Sequence, residues 1–159
     1  MPKIYTRTGD SGESSIKDER LRKDALVFDV LGSLDELNSW LGSIRTESDP
    51  AAQLDEADLL VLESIQHALI ALSADLAGYG AFATDLLPVL EGEIDRLSSE
   101  GPFRLCLPAG RIHIARTICR RAERCLVAFD PDHAGLPFVN RLSDYLYALA
   151  ESSRKDSSR

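Results

Sequence analysis

Cysteine is scarce in this chain of 159 residues, which contains three. Cys106, Cys119 and Cys125 are an odd set without C-x-x-C spacing, so the sequence offers neither a paired disulfide framework nor a cysteine-based zinc site. Cys119 and Cys125 fall at helical positions, where free thiols commonly serve as packing residues. This use of cysteine is typical of a reducing compartment.

Long apolar runs and an excess of positive charge are also missing. No apolar run approaches the roughly 20 residues that cross a bilayer, and the first residues lack the apolar core of a secretory signal. Acidic residues outnumber basic ones by 26 to 18, giving a formal net charge of -8, whereas general nucleic-acid binding needs a broad basic surface. We therefore expect a cytoplasmic protein without nucleic-acid or membrane partners.

Helical apolar spacing dominates what the sequence does contain. Hydrophobic residues make up 44% of the chain, and its length suits one domain with a sizeable core. They recur every three or four positions, as on one face of a helix, and few alternating β-branched runs are present. The pattern predicts an all-α, up-down bundle of five helices at 26–44, 55–78, 83–99, 111–129 and 138–152, the third of them interrupted or begun anew around Pro88. Within this domain, residues 1–24 form a polar loop segment, 25–152 the bundle, and 153–159 a tail too polar to pack.

An arginine cluster stands out in the fourth predicted helix. Residues 115–124 read Ala-Arg-Thr-Ile-Cys-Arg-Arg-Ala-Glu-Arg, and helical spacing places Arg116, Arg120 and Arg124 along one stripe. Like charges at this spacing repel each other, so the stripe indicates an anionic partner. A polyphosphate suits the planar donor fork of arginine. A solvated basic face with Glu123 as an internal partner is the alternative.

The polar N-terminal segment is a second candidate for phosphate binding. Gly9 and Gly12 leave backbone amides unobstructed, and loops of this composition wrap phosphate oxygens. No Gly-Lys-Ser/Thr follows, which excludes a Walker A loop. A mobile N-terminal arm explains the same composition, and Lys23 is a further candidate for a phosphate contact. Hydroxyl donors lie at Thr6, Thr8, Ser14 and Ser15.

Polar residues within the predicted helices are less specific signals. Asp35 lies on a different face of the first helix from the apolar residues, where it either pairs with an arginine of the fourth helix or faces water. Asn140 and Asp144 share one face of the fifth helix, where they bind adenine or ribose, orient the arginines, or favour the helix N-terminus. His67 and His113 lack a matching set of cysteines or carboxylates, so no metal site is predicted.

Together these segments resemble the PduO-type ATP:cob(I)alamin adenosyltransferases. Any one of the motifs is weak evidence, but they follow the family's order and span residues 3 to about 150. The motifs are Lys3-Ile-Tyr-Thr-Arg-Thr-Gly-Asp-Ser-Gly, Gly32-Ser-Leu-Asp-Glu-Leu-Asn-Ser, Ile65-Gln-His-Ala-Leu with Ala74-Asp-Leu-Ala, the arginine segment 115–124, and Asn140-Arg-Leu-Ser-Asp-Tyr-Leu.

The resemblance implies a homotrimer with active sites between adjacent subunits. Such enzymes transfer the 5′-deoxyadenosyl group of ATP to the cobalt of reduced cobalamin and release triphosphate. Mg²⁺ is the implied metal ion, and a separate reductase supplies the electrons. One subunit would hold ATP through Thr6, Arg7, Thr8, Gly9, Ser14, Ser15 and Lys23. Its neighbour would add Arg120, Arg121, Ala122, Glu123, Arg124 and Asn140. Arg116, Arg120 and Asp35 would form the catalytic set, with Arg116 and Asp35 paired across the interface.

The resemblance also implies a corrinoid bound with its lower ligand displaced, which makes reduction of Co(II) to Co(I) accessible. In the family an aromatic residue before a Leu-Pro-Gly-Gly turn helps to block the lower face. Here the aligned residue is Leu105, the nearest aromatic is Phe103, and the turn reads Leu107-Pro-Ala-Gly. The stretch before His113 is several residues short of the family pattern. The candidate corrinoid-binding residues are Phe103, Leu105 and Asp144.

Two other interpretations of the sequence stay open. A nucleotide-binding regulatory or carrier protein would keep the ATP site and lack efficient corrinoid chemistry, and the shortened segment at 108–113 favours this interpretation. A purely structural helical bundle would bind no ATP at all.

Overall fold

A computed structural model of the chain describes residues 4–46, 54–98 and 107–156, and side chains as far as Ser153. Within these ranges the chain forms five helices preceded by a two-stranded hairpin, so the predicted all-α fold with five helices is confirmed. The elements are β1 (Glu13–Ile16), β2 (Glu19–Arg22), α1 (Leu26–Thr46), α2 (Glu56–Leu76), α3 (Leu86–Leu97), α4 (Arg111–Phe129) and α5 (Leu136–Asp156).

The hairpin lies in the segment that was predicted to be a polar loop. β1 and β2 pair antiparallel, with Ser14 opposite Leu21 and Ile16 opposite Glu19. Lys17 in the turn has a φ of 50°, in the left-handed region that tight turns require. The two strands pack mainly on each other and make few contacts with the helices. They therefore need no apolar alternation, which is the sequence signal that would have revealed them.

The core lies between the faces of the helices. α1 packs on α2 and α4, while α5 packs on α3 and α4. Because its apolar residues recur at helical spacing, α1 buries one continuous stripe against its neighbours. That stripe comprises Val27, Val30, Leu34, Leu37, Leu41 and Ile44.

Local signals set the ends of α2 and α3. The Asp55 carboxylate accepts a hydrogen bond from the backbone N of Asp58 at 2.8 Å, and the Asp58 carboxylate accepts one from the backbone N of Asp55 at 3.3 Å, forming a capping box. Gly78, with a φ of 78°, supports termination after α2, which ends two residues before the predicted position. α3 begins at Leu86, close to the new start predicted around Pro88 and not at 83. Pro88 lies in its first turn, where proline is tolerated. Its predicted end at 99 lies outside the described residues.

The last two helices differ in how well the sequence predicted them. α4 spans the predicted residues 111–129. α5 runs from Leu136 to Asp156, beyond the predicted 138–152. The prediction that residue 153 begins a non-packing tail is wrong at that position, because Ser153 is buried and its hydroxyl donates to the Leu149 carbonyl at 2.8 Å. This hydroxyl bond satisfies a polar group that composition alone would place in water.

By length and composition alone, α2 could cross a membrane, with a mean hydropathy of 1.4 over its most apolar window. It is the one helix of the described ranges that meets this test. No such segment was predicted from the sequence. Core helices meet the same test, so it is weak evidence for a membrane span. α2 buries Leu62, Ile65, Leu69 and Leu72 within the bundle.

Candidate functional site

The N-terminal loop folds back onto Lys23. The backbone N of Lys23 donates to the Gly12 carbonyl at 2.9 Å, and its Nζ donates to the Gly9 carbonyl at 2.9 Å. Arg7 and Gly12 have positive φ values of 63° and 82°, a conformation that is uncommon for arginine and normal for glycine. The turns at these residues make 7–12 a compact loop closed by the lysine that was predicted to bind phosphate.

Arg20, which the sequence prediction did not select, holds the same loop from β2. Its Nε donates to the Glu13 carboxylate at 2.8 Å, and a terminal nitrogen donates to the Thr8 carbonyl. The Thr6 and Thr8 hydroxyls are hydrogen-bonded to each other at 2.8 Å. The opposite charges of Glu13 and Arg20 were the available signal, but only the strand pairing brings them together. Two further predicted hydroxyls, Ser14 and Ser15, lie on β1.

Arg22 pairs with Asp24 and makes no described side-chain bond to this loop. Its guanidinium donates to both carboxylate oxygens of Asp24, at 3.0 and 2.6 Å. The hydrogen bonds from Arg22 lower the pKa of the Asp24 carboxyl, and those to Asp24 raise the pKa of Arg22. Lys23 and Arg20, rather than Arg22, are therefore the cations that contact the loop.

The predicted arginine stripe lies on the outer side of α4. Arg120 and Arg124 are exposed, and a terminal nitrogen of Arg124 donates to the Arg120 carbonyl at 2.9 Å. No ion pair joins either guanidinium to a carboxylate of the described residues. Arg121, on the next face, forms an ion pair with Glu36 of α1 in the same chain. Because neighbouring arginines repel one another, the uncompensated pair makes this face suitable for an anion.

Arg116 differs from the other arginines because it is half-buried. Its Nε donates to Nδ1 of His113 at 3.3 Å. No hydrogen bond or ion pair joins Arg116 to Asp35 within the described part of the chain. The predicted pairing of these residues between two subunits stays a prediction.

A hydrogen bond connects α4 to α5 beside the arginines. The Asn140 amide donates to the Glu123 carboxylate at 2.8 Å, so two predicted ATP-binding residues are in direct contact. Ala122 between the arginines is fully buried. Asp144, one turn after Asn140, accepts a hydrogen bond from Arg141 at 3.0 Å.

Asp35 lies in an open groove between α1 and α2. The groove has a volume of about 500 Å³ and is otherwise mostly apolar. Asp35 is exposed there, and no partner for its carboxylate occurs among the described residues. The lining residues include Phe28, Leu31, Asn38 and Ile70.

The two groups of predicted ATP-binding residues belong to separate parts of one chain. The hydrogen bonds of residues 6–23 remain within the loop, the hairpin and the first residues after it, and none of those described reaches α4. The arginines of α4 are instead contacted by α1 and by α4 itself. Within one chain, these contacts therefore do not connect residues 6–23 to the arginines of α4.

Cys119 does not supply a reactive thiolate. Burial raises the pKa of the Cys119 thiol well above its usual range. Its Sγ donates to the Val139 carbonyl at 3.3 Å. Cys125 lies 3.9 Å from the Ser33 hydroxyl. Both are free thiols, and their surroundings are those of packing residues.

Two further parts of the site are the predicted corrinoid-binding residues and the groups that could hold a metal ion. Phe103 and Leu105, the candidate residues for the lower face of a corrinoid, lie outside the described residues. Among 4–46, 54–98 and 107–156, no group of three or more histidines, cysteines and carboxylates could hold a metal ion.

Comparison with known proteins gives consistent similarities. A family model described as cobalamin adenosyltransferase matches residues 4–153. A corrinoid adenosyltransferase of Bacillus subtilis (strain 168) is 37% identical, over 93% of this chain and 84% of the relative. A cobalamin adenosyltransferase of Cupriavidus metallidurans is 36% identical, over 94% of this chain and 87% of the relative.

The fold is similar to a solved structure of the same kind of enzyme. A PduO-type ATP:corrinoid adenosyltransferase from Lactobacillus reuteri, solved as a phenylalanine-to-alanine variant complexed with cobalamin and ATP, matches with a TM-score of 0.84. It is 32% identical to this chain, and the match covers 98% of this chain and 96% of that one.

Proposed function

This chain belongs to the cobalamin adenosyltransferase family, and we propose that it transfers the 5′-deoxyadenosyl group of ATP to the cobalt of a reduced corrinoid. The observation that carries this proposal is the exposed face of α4. Arg120 and Arg124 present guanidinium groups without a carboxylate partner among the described residues, next to the bonded pair Glu123 and Asn140. That arrangement offers charge-assisted hydrogen bonds to a triphosphate.

The reaction places modest chemical demands on the protein. Cob(I)alamin is a strong nucleophile: its cobalt forms the bond to C5′ of ATP while the bond from C5′ to oxygen breaks and triphosphate leaves with the electron pair. No protein nucleophile or general base is required, and the buried thiol of Cys119 accords with this. The protein's task is to place C5′ over the cobalt and stabilise the charge on the departing triphosphate.

Mg²⁺ suits this chemistry as a counter-ion of the triphosphate. Magnesium commonly keeps several waters and binds substrate phosphates with one or two protein carboxylates. When bound, it would neutralise phosphate charge, and the arginines and Lys23 would orient the same group.

We also propose that the active site lies between adjacent subunits of a homotrimer. Two observations support this arrangement: the loop closed by Lys23 has no described hydrogen bond to α4, and Asp35 has no described partner in its own chain. One subunit would bind ATP with Thr6, Arg7, Thr8, Gly9, Ser14, Ser15 and Lys23. Its neighbour would add Arg120, Arg121, Ala122, Glu123, Arg124 and Asn140, with Arg116 reaching Asp35.

The corrinoid half of the site is assigned to Phe103, Leu105 and Asp144. Phe103 or Leu105 would cover the lower face of the corrinoid, and Asp144 would order the site from α5. A reductase would supply the electron that converts Co(II) to Co(I). We place the protein in the cytoplasm because Cys119 and Cys125 are free thiols.

An ATP-binding regulatory or carrier protein is the second candidate function. The alignment to the Bacillus subtilis enzyme extends over 166 positions, more than the 159 residues of the chain, so that enzyme has residues this chain lacks. A shortened segment before α4 would weaken corrinoid binding while leaving the arginine face intact.

An anaerobic assay separates the two functions. ATP and chemically reduced cobalamin are mixed with the protein, and ATP binding is measured on the same preparation by calorimetry. An adenosyltransferase produces the absorbance of adenosylcobalamin. ATP binding without that absorbance would instead establish the carrier function.

A further inference from the structure

His113 is buried between α4 and α5 and contacts charged groups on both. Its side chain is 3% exposed. Nδ1 lies 3.3 Å from Nε of Arg116, one turn further along α4. Nε2 lies 3.4 Å from a carboxylate oxygen of Glu151 on α5. The ring also packs edge-on against Tyr147, with 6.3 Å between ring centroids.

The contact with Arg116 determines which nitrogen of His113 carries the proton. The Nε–H of arginine is always a donor, so Nδ1 of the imidazole must accept, and the ring proton is on Nε2. That proton faces the Glu151 carboxylate, which attracts it electrostatically. The contact does not have the geometry of a hydrogen bond. A carboxylate on the far nitrogen orients the ring and makes the near nitrogen a better acceptor, as in other carboxylate–histidine pairs.

The same contact controls the direction of Arg116. An arginine side chain has many rotamers, and holding one in place costs conformational entropy. A hydrogen bond at Nε restrains the guanidinium plane and leaves both terminal nitrogens available for a carboxylate. Arg116 is thereby pre-organised as a two-pronged donor, which is the geometry that a carboxylate partner such as Asp35 would meet.

We infer that His113 and Glu151 are positioning residues for the adenosyltransferase reaction: Glu151 orients His113, and His113 holds Arg116 for Asp35 of the neighbouring subunit. This inference rests on the proposed function and adds to it two residues that touch neither ATP nor corrinoid. If His113 only filled the core, its packing would not require Nδ1 to accept a hydrogen bond from Arg116.

Two substitutions of His113 separate the contacts. His113→Asn keeps an amide oxygen near the position of Nδ1, so it can still accept from Arg116. His113→Gln places its amide near the position of Nε2, so it keeps polar contact towards Glu151 and loses Arg116. We expect His113→Gln to lower kcat by about tenfold, the size of one lost hydrogen bond to a charged group, and His113→Asn to restore most of it. The KM for ATP should change little in either.

A double variant tests whether the effect passes through Arg116. If His113 acts by holding Arg116, adding His113→Gln to Arg116→Ala lowers kcat no further. Multiplied losses in the double variant, or an Asn variant as poor as the Gln variant, would overturn the inference. Glu151→Ala, at the edge of the core, provides a second test if the Gln variant does not fold, with an expected fall in kcat and little change in KM. An unchanged kcat in Glu151→Ala would overturn the role of Glu151.

A spectroscopic measurement keeps this test separate from the proposed function. In protein labelled with ¹⁵N-arginine, the Nε–H resonance of Arg116, assigned by its absence from Arg116→Lys, should exchange slowly with water. It should stay slow in His113→Asn and become fast in His113→Gln. Slow exchange in His113→Gln would show that His113 does not hold Arg116, whether or not the wild-type protein forms adenosylcobalamin. Absence of wild-type product with the expected exchange pattern would overturn only the proposed function.

Discussion

Asn140 on α5 donates a hydrogen bond to Glu123 on α4, with 2.8 Å between the amide nitrogen and the carboxylate oxygen. This bond joins two helices beside the exposed arginines. It leaves Glu123 with a partner other than an arginine of its own helix. The alternative in which Glu123 merely neutralises a solvated basic face is therefore less suited to the geometry.

Removing this bond should weaken ATP binding. We expect Asn140→Ala to raise the KM for ATP by about fivefold, which corresponds to about 1 kcal/mol for one hydrogen bond. Thr117→Ala is the matched control, because the Thr117 hydroxyl on the exposed side of α4 donates to the Ile114 carbonyl and to no other group of the described residues. Equal KM values in the two variants would contradict the role of Asn140.

The exposed arginines should dominate the interaction with triphosphate. Arg120→Ala or Arg124→Ala is expected to weaken ATP binding or turnover by more than tenfold, since a lost charge-assisted contact costs about 1.5–3 kcal/mol. Arg120→Lys keeps the charge and removes the planar fork, so it should fall between the wild type and Arg120→Ala. Steady-state kinetics and calorimetry measure both effects. Normal kinetics in both alanine variants would refute the phosphate role.

Asp35 should matter for assembly as well as for turnover. If Asp35 meets Arg116 of a neighbouring subunit, Asp35→Asn removes the charged partner of that arginine and destabilises the assembly by about 2 kcal/mol. Sedimentation velocity at decreasing protein concentration measures the shift towards smaller species, and turnover is assayed in parallel. Asp29→Asn, at another exposed position of α1, is the control. Unchanged sedimentation and turnover in Asp35→Asn would remove the proposed pairing.

Mixing two inactive variants tests whether one site draws on two chains. Lys23→Ala removes the loop's lysine and Arg120→Ala removes an arginine of α4. When the two proteins are mixed equally and allowed to exchange subunits, random assembly leaves about one quarter of the sites with both residues intact. Activity should therefore return on mixing. No recovery after demonstrated subunit exchange would place both residues of a site in the same chain.

Cys119 and Tyr145 predict a loss of stability at alkaline pH. Burial raises the pKa of both groups above their ordinary values of 9.0 and 10.0. As pH rises past those values, the unfolded chain loses protons that the folded chain keeps, so the free energy of unfolding falls. The expected slope is up to about 1.4 kcal/mol per pH unit for each group. Urea unfolding between about pH 8 and pH 11 measures it.

Substitution of Tyr145 provides the control for this pH dependence. Its hydroxyl has no hydrogen-bond partner in the described structure, so Tyr145→Phe removes the ionisable group without breaking a bond. That variant should show a shallower alkaline loss. Tyr79→Phe, at a tyrosine that is 68% exposed, should leave the slope unchanged. Equal slopes in the two variants would contradict the role assigned to Tyr145.

Helix positions were predictable from the sequence because they depend on local periodicity. The spacing of Val30, Leu34 and Leu37 identified α1. The prediction that Arg116 and Arg120 lie along one stripe required only that α4 be helical. The five-helix fold followed from such patterns.

Contacts between distant segments were not predictable in the same way. His113 appeared isolated because Glu151 comes from α5, and Arg20 gained meaning only when strand pairing brought it to Glu13. The helical continuation through Ser153 was missed because a hydroxyl that bonds its own helix looks polar in composition. The joint role of Glu123 and Asn140 came from family resemblance, since residue spacing does not report contacts between helices.

Adenosyl transfer is tested most directly by a single-turnover reaction under anaerobic conditions. Wild-type protein, ATP and chemically reduced cobalamin are mixed, and adenosylcobalamin and triphosphate are quantified by chromatography and mass spectrometry. We predict that the two products form in equal amounts and that Arg120→Ala forms both more slowly by the same factor. ATP bound to folded protein with neither product formed would contradict it.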